Sequence, residues 1–174
     1  MAEFHTNTIE NNPELENKWL TFWLDGQLYA SSILHVEQIV SMMPITEVPE
    51  YPHYAKGIIN IRGAIIPLID LRLRLGKAEA VYTEHTCIII CRIGDDPIGF
   101  IADSVDAVMT ITPEQMSPPP QLNEEISTNR YLLGVARIGG EDVTQEKLVL
   151  CLDTTKVLLR DELEELAPQS SDKN

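Results

Sequence analysis

The chain has 174 residues, enough for one domain or for two small lobes around a shared core, without help from a disulfide or a metal. Its 13 basic and 27 acidic side chains give a formal net charge of −14, which argues against nucleic acids and anionic membranes as partners. The sequence shows no signal-peptide pattern and no bilayer-spanning apolar run, so it predicts a cytoplasmic protein without direct membrane insertion.

Residues 1–17 and 167–174 lack periodic apolar residues and are predicted to be flexible tails, which leaves 18–166 as a single folded domain. The domain begins with alternating residues 20–24 followed by Asp25-Gly26, a combination that predicts a β-hairpin. A spaced apolar segment follows, with Ile33, Val36, Ile39 and Val40. In one interpretation Val36 and Ile39 are core residues of a short helix.

Residues 57–70 contain two apolar runs on either side of Arg62-Gly63, which predicts a tight turn that exposes Arg62. Pro67 cannot donate a hydrogen bond to a ladder, so its strand is predicted to be an edge or to contain a bulge. Asp70 is placed to cap a short helix that runs through Leu75 and ends at Gly76.

A second hairpin is predicted over residues 88–102, with its turn at residues 94–97, and Val105 and Val108 follow it. A hairpin followed by spaced Val or Ile residues therefore occurs twice, which suggests two related β-lobes. Cys87 and Cys91 share one strand face, and their spacing does not suit a metal. We therefore interpret them as small buried apolar side chains.

After Met109 the prolines predict an extended loop, and strands are expected again at residues 131–138 and 147–152. Residues 153–166 predict one or two short amphipathic helices. Trp19 and Trp23 share a strand face, and they are predicted either to pack under the C-terminal helix or to be exposed for a partner. Many short strands with few helices indicate a barrel or a sandwich.

The sequence contains no pattern typical of a catalytic, nucleotide or metal site, so it predicts a protein that is not an enzyme and needs no cofactor. Asp103 and Asp106 are expected on opposite strand faces, as solvated acids rather than a catalytic pair. A small-ligand barrel or enzyme remains an alternative, and it would require His53 and His85 to meet in a pocket between the lobes.

Residues 56–72 resemble the signature of the CheW-like family, in which G-[VI]-x-N-[LI]-R-G precedes an apolar run with proline and then D-L-R. The patterns Phe22-x-Leu24, Ile45-Thr46-x-Val48-Pro49 and Gly99-x-Ile101-x-Asp103-x-Val105 also fit, and the likeness covers residues 18–160. The resemblance implies an all-β fold of two packed five-stranded SH3-like barrels, with short helices and a C-terminal helix.

The resemblance also implies a function in chemotaxis, as an adaptor that couples receptors to a kinase. It implies binding to the cytoplasmic tip of chemoreceptors and to the regulatory domain of the histidine kinase CheA, with recruitment to membrane-associated receptor arrays. A CheW-like scaffold of a non-flagellar chemosensory system is the alternative within the same family.

Several positions match contact sites of the family, where an apolar groove would hold an amphipathic helix of the receptor. The predicted receptor contacts are Val36, Gln38, Ile39, Arg62, Val105 and Val108, and the predicted kinase contacts are Gln121 and Leu122. Structural alternatives exist: Arg62 could form an ion pair within the fold, for instance with Asp70, and the valines and Ile39 could belong to the core. The order Glu37-Gln38 departs from the family pattern, which puts a contact by Gln38 in doubt.

Overall fold

The structure is a computed structural model that describes residues 13–119, 130–139 and 146–166. In these ranges the chain forms mainly β-strands. The strands are β1 Lys18–Leu24, β2 Gln27–Ser32, β3 Val36–Ser41, β4 Ala55–Ile61, β5 Ala64–Asp70, β6 Cys87–Ile93, β7 Asp96–Ala102, β8 Ser104–Thr110, β9 Met116–Ser117, β10 Leu132–Ile138 and β11 Lys147–Leu152. The α-helices are α1 Leu71–Arg74 and α2 Arg160–Leu166.

The strands form two sheets of related topology. The sheet of lobe 1 has the order β8-β1-β2-β11-β10-β9, and the sheet of lobe 2 has the order β3-β6-β7-β5-β4. In each lobe a hairpin (β1–β2 or β6–β7) pairs in parallel with the second strand of another hairpin (β10–β11 or β4–β5). Because β9 has only two residues, each lobe contains five full-length strands, and the predicted all-β fold is confirmed.

The chain crosses twice between the lobes. Strand β3 follows β2 of lobe 1 but pairs with β6 of lobe 2. Strand β8 follows β7 of lobe 2 but pairs with β1 of lobe 1. Strands β3 to β7 therefore form lobe 2 as one continuous segment, which is inserted between β2 and β8 of lobe 1.

Strand alternation divides the core into three clusters. Ile88 and Ile90 of β6 face the interior of lobe 2, whereas Ile89, Cys91 and Ile93 face a central cluster between the lobes. Strand β1 divides in the same way, with its even-numbered residues from 20 to 24 in the central cluster and residue 19 inside lobe 1. Side chains from both halves of the chain therefore fill the space between the lobes.

Local turn and cap signals were predicted correctly. Arg62 and Gly63 have φ angles of 53° and 89°, two successive positive values that characterise a type I′ hairpin turn. The carboxylate of Asp70 accepts a hydrogen bond from Leu73 N at 3.3 Å and caps α1. Gly76 has a φ of 79° and ends this helix.

Three predictions of local structure were wrong. Residues 36–41 are a strand after a 3-10 turn at Ile33–His35, because pairing with β6 outweighs the helical spacing. Pro67 lies in an inner strand between β4 and β7, one residue before the ladder with β7 begins at Leu68, so the predicted edge is wrong, and the irregularity of the β4–β5 ladder is in β4, between Ala55 and Gly57. The tryptophans of β1 pack with the core of lobe 1, whereas α2 packs on the central cluster.

The described residues include the last part of the predicted N-terminal tail. Residues 13–17, which we assigned to the N-terminal tail, include a 3-10 turn at Pro13–Leu15, and Leu15 packs against the central cluster. Residues 1–12 and 167–174 lie outside the described residues. Thr154–Lys156 and α2 match the one or two helices predicted near the C-terminus.

Candidate functional site

Edge strand β3 contains a bulge at Glu37. Val36 pairs with Cys91 and Ile39 pairs with Ile89, so β3 has one residue more than the matching stretch of β6. Because the extra residue resets the alternation of side chains, Val36 and Ile39 lie on the same face of the sheet. Their partners Cys91 and Ile89 both belong to the central cluster, so this face is directed at the junction of the lobes.

Edge strand β8 contains the corresponding bulge at Asp106. Val105 pairs with Phe22 and Val108 pairs with Leu20, and the register of the two strands shifts between these pairs. Phe22 and Leu20 both belong to the central cluster. Val105 and Val108 therefore also face the junction of the lobes, although simple alternation would place them on opposite faces.

The two bulged strands leave an apolar strip at the margin of the central cluster. Ile39 and Val105 are half-buried against the cluster, and Val108 is 51% exposed. We call Ile39, Val105 and Val108 the seam residues. Val36 is only 1% exposed, so it belongs to the core and offers no surface to a partner. Among the described residues, the side chains between the lobes are buried, and the seam residues form a half-buried to exposed margin.

Cys87 lies between β8 and the end of β3, beside the seam residues. The backbone of Val105 forms a hydrogen bond with its thiol, and Cys87 pairs with Ser41 at the end of β3. Burial raises the pKa of the Cys87 thiol to about 11, although the bond from Val105 opposes this shift. The thiol is therefore neutral and unreactive near neutral pH, as expected of a structural cysteine.

Gln38 does not share a face with the seam residues. It pairs with Ile90, whose side chain belongs to the core of lobe 2, so it lies on the opposite face of β3 from Ile39. Its neighbour Glu37 forms an ion pair with Arg92 of β6. The structure therefore separates Gln38 from the other predicted receptor contacts on β3.

Arg62 is exposed at the tip of the β4–β5 hairpin, as predicted. Strand β5 runs its full length between this tip and Asp70, a separation of about 20 Å, which excludes the alternative of an Arg62–Asp70 ion pair. Val105 follows the end of β7 that pairs with the Asp70 end of β5. Arg62 therefore lies at the end of lobe 2 opposite the end where β7 leads into β8 and Val105.

Gln121 and Leu122, the predicted kinase contacts, lie outside the described residues. Of the predicted receptor contacts, the structure brings together Ile39, Val105 and Val108. Arg62 lies elsewhere on lobe 2, Gln38 lies on another face, and Val36 lies in the core.

Asp103 is a structural acid rather than a solvated one, so this prediction was wrong. Its two carboxylate oxygens accept from Arg72 Nε and Nη2 at 2.8 and 2.7 Å, and Oδ2 also accepts from Asp25 N at 2.8 Å. Asp106, in contrast, accepts from Thr21 Oγ1 at 3.0 Å. The two acids serve separate contacts and do not form a catalytic pair.

Two further observations concern possible chemistry and membrane insertion. His53 and His85 are both exposed, with His53 against the Tyr54 ring and His85 Nε2 3.6 Å from Glu84. Within the described ranges, no three His, Cys, Asp or Glu side chains are grouped so that they could hold a metal ion. None of the helices in that part of the chain is long and apolar enough to span a bilayer.

Sequence reasoning missed Thr21, which contacts the bulge of β8. A signal for the paired bulges is present in the sequence, since Val36-Glu37-Gln38-Ile39 and Val105-Asp106-Ala107-Val108 share the order apolar, acidic, variable, apolar. The spacing of the apolar residues alone also fits a helix. In both segments the acid at the second position is the extra residue of the bulge.

Comparison with known proteins identifies the family. The CheW-like domain family matches residues 18–162. The chemotaxis protein CheW of Klebsiella aerogenes is 31% identical over 146 residues, 84% of each chain, and protein FrzA of Myxococcus xanthus is 29% identical over 96 residues, 55% of this chain and 59% of that protein. The crystal structure of the scaffolding protein TtCheW from Thermoanaerobacter tengcongensis matches with a TM-score of 0.72 at 29% identity, covering 92% of this chain and 96% of that one. The chain therefore belongs to the CheW-like domain family of chemotaxis scaffolding proteins.

Proposed function

We propose that this protein is a cytoplasmic adaptor that couples the signalling tips of transmembrane chemoreceptors to the regulatory domain of a CheA-type histidine kinase. It would be recruited to receptor arrays and would act by protein–protein binding alone. The observation that carries the proposal is the apolar seam, Ile39, Val105 and Val108, on a domain of the CheW-like family. Such a strip suits the apolar face of a partner helix.

Receptor binding is assigned to the seam residues and to Arg62. A guanidinium on an exposed turn can hold carboxylates or backbone carbonyls at the end of a helical hairpin. Arg62 also occupies a left-handed conformation that a non-glycine residue adopts at a cost of about 1 kcal/mol, which suggests that its position matters beyond the turn itself. Gln121 and Leu122 remain predicted kinase contacts.

The proposal is tested by mixing the purified full-length chain with a CheA-type regulatory domain and with a receptor signalling fragment. Both partners are expected to co-elute with it at protein concentrations of about 10 to 50 μM. A charge at the seam should be poorly tolerated, so Val108→Glu should raise the Kd for the receptor fragment about tenfold or more. Leu148→Glu, at a residue of β11 that is 54% exposed, provides the matched control and should bind as the wild type does.

Failure of the wild-type chain to co-elute with either partner would refute the adaptor proposal. Equal loss of binding in Val108→Glu and Leu148→Glu would show that the seam is not the receptor surface. Arg62→His should weaken receptor binding while the melting temperature stays near that of the wild type. A large drop in the melting temperature would instead assign Arg62 a structural role.

A second candidate is a scaffold in a non-flagellar chemosensory system. The similarity to protein FrzA, whose name sets it apart from the chemotaxis CheW proteins, fits this candidate. Both candidates use the same surfaces, so binding experiments with one receptor do not separate them. The genes that neighbour this one, and the motility defect of a deletion strain, would distinguish the two.

A further inference from the structure

Thr21 is a buried polar residue in the middle of β1. Its relative exposure is 0%, and alternation places its side chain on the face of Trp19 and Trp23, inside lobe 1. A threonine hydroxyl in such a place requires hydrogen-bond partners, because a buried polar group without them is costly.

The partners of the Thr21 hydroxyl all lie in the bulge of β8. Oγ1 accepts from Ala107 N at 3.1 Å. It lies 3.0 Å from both Asp106 Oδ2 and Ala107 O, and its single proton can be donated to either of them. One hydroxyl thus contacts both backbone polar groups of Ala107 and the side chain of the extra residue.

These contacts explain why the bulge lies where it does. A bulge disrupts the ladder locally and leaves backbone groups that need other partners. The hydroxyl supplies those partners at Ala107, which makes the shifted register favourable at this point of β8. With the register shifted, Val105 and Val108 lie on the same face. If the bulge moved by one residue along β8, one of the two valines would turn away from the seam.

We propose that Thr21 is a positioning residue for partner binding: its hydroxyl fixes the β8 bulge and so keeps Val105 and Val108 together on the seam. The inference rests on the proposed function, because the seam is the assigned receptor surface. Thr21 itself would not touch the receptor, since it is fully buried on the other face of β1.

The bulge in β3 shows that this arrangement is particular to lobe 1. At the position of β6 that corresponds to Thr21, the chain has Ile90, which has no hydroxyl. The β3 bulge residue Glu37 is held from the side by Arg92. The lobe 2 bulge therefore depends on an ion pair that is partly open to solvent, whereas the lobe 1 bulge depends on one buried hydroxyl.

The test compares Thr21→Val, which keeps the shape but removes the hydroxyl, with Thr21→Ser, which keeps the hydroxyl. Thr110→Val is the control, because it removes an exposed threonine hydroxyl from β8 that accepts from Lys18 Nζ at 2.7 Å. For the receptor fragment, Thr21→Val should raise the Kd about tenfold or more, and the other two variants should stay within about twofold. Binding to the kinase regulatory domain should persist in all three variants, which would show that their fold is intact.

A second measurement needs no partner and no stable Thr21→Val variant. Hydrogen exchange at the Ala107 amide should be slow in the wild type and in Thr21→Ser, although β8 is an edge strand. Fast exchange at Ala107 in the wild type would overturn the inference, as would wild-type affinity in Thr21→Val or equal losses in Thr21→Ser and Thr21→Val. If the wild-type chain binds no receptor fragment, the proposed function fails, while exchange at Ala107 still decides whether Thr21 holds the bulge.

Discussion

Arg72 joins three segments that are distant in sequence. Its guanidinium makes two hydrogen bonds to Asp103, lies 3.6 Å from the Asp25 carboxylate, and donates to Ala78 O at 3.4 Å. It thereby links α1 and the loop after it to the start of β8 and to the β1–β2 turn. A planar guanidinium with five donors is suited to such a junction, and lysine would not replace it.

The Arg72–Asp103 pair predicts an acid-sensitive component of stability. Burial opposes the charge on Asp103, but the hydrogen bonds from Arg72 and from Asp25 N outweigh it, so the pKa of Asp103 lies below its ordinary value of 3.8. The unfolded chain therefore binds this proton more tightly than the folded chain does. The stabilisation is present above pH 3.8 and is lost as the pH falls through the folded pKa.

Asp103→Asn should lower the free energy of unfolding at pH 7 by about 2 kcal/mol, because it removes the closer of the two carboxylates that pair with the guanidinium. Between pH 5 and pH 2 the variant should lose less stability than the wild type, as measured by urea denaturation at each pH. Asp25→Asn is the control. Its side chain is 57% exposed and its contact is longer, so an effect below about 0.5 kcal/mol is expected. Parallel pH profiles of wild type and Asp103→Asn would contradict the assignment.

At the scale of single residues, the sequence predicted what a local rule determines. The exposed Arg62 and the cap at Asp70 follow from turn and cap chemistry within a few residues. The burial of Val36, the face of Gln38 and the partner of Asp103 depend on strands that lie far away in the chain. The spacing of residues within β3 or β8 does not determine the register in which the strand pairs with its partner.

One carboxylate makes three of the polar contacts that hold α2 on the domain, beside the packing of Leu166 on the central cluster. Glu162 Oε1 accepts from Leu159 N at 2.6 Å and from Arg74 Nη2 at 2.7 Å, and Oε2 accepts from Tyr54 OH at 3.1 Å. Burial opposes the charge, yet these contacts lower the pKa of Glu162. A helix of seven residues is too short to be stable by itself, so its formation depends on this docking.

Glu162→Ala should release α2 from the domain and lower the free energy of unfolding by about 2 kcal/mol. Limited proteolysis should then cut within residues 159–166 before any cut within the sheets, and amide exchange should rise first in α2. Glu164→Ala removes an exposed acid from the same helix and should have no measurable effect on either readout. Equal protection of α2 in both variants would mean that its apolar contacts suffice.

Elements were predictable where their signals are local. Alternating apolar residues and turn residues that accept positive φ predict both hairpins. The cap and the terminal glycine predict α1. Strand β3 was mistaken for a helix because its bulge puts residues 36 and 39 on one face, which is also what a helix does. Only the pairing with β6 separates the two interpretations, and that pairing is not encoded within the segment.

In the described residues the two lobes share one core, because the central cluster contains side chains from both sheets. The chain belongs to a family of scaffolding proteins rather than enzymes. The seam depends on both lobes, since Ile39 is on β3 and Val105 is on β8. The resemblance to the family predicted two lobes, but the insertion of lobe 2 between β2 and β8 of lobe 1 could not be deduced from either half of the sequence.

The shared core predicts that the lobes unfold together. Phe100 lies on β7 of lobe 2, is fully buried and belongs to the central cluster with residues of lobe 1. Phe100→Ala should therefore lower the free energy of unfolding by about 3 to 5 kcal/mol in both sheets alike. The slowest-exchanging amides of β1 and β6 should lose the same protection, and calorimetry should show one transition whose calorimetric and van't Hoff enthalpies agree.

The control is Leu148→Ala, at an exposed site, which should leave the free energy of unfolding measured in each sheet within about 0.5 kcal/mol of the wild type. Two separate transitions, or protection lost only in lobe 2, would mean that the shared core does not couple the lobes and that the seam has no fixed width.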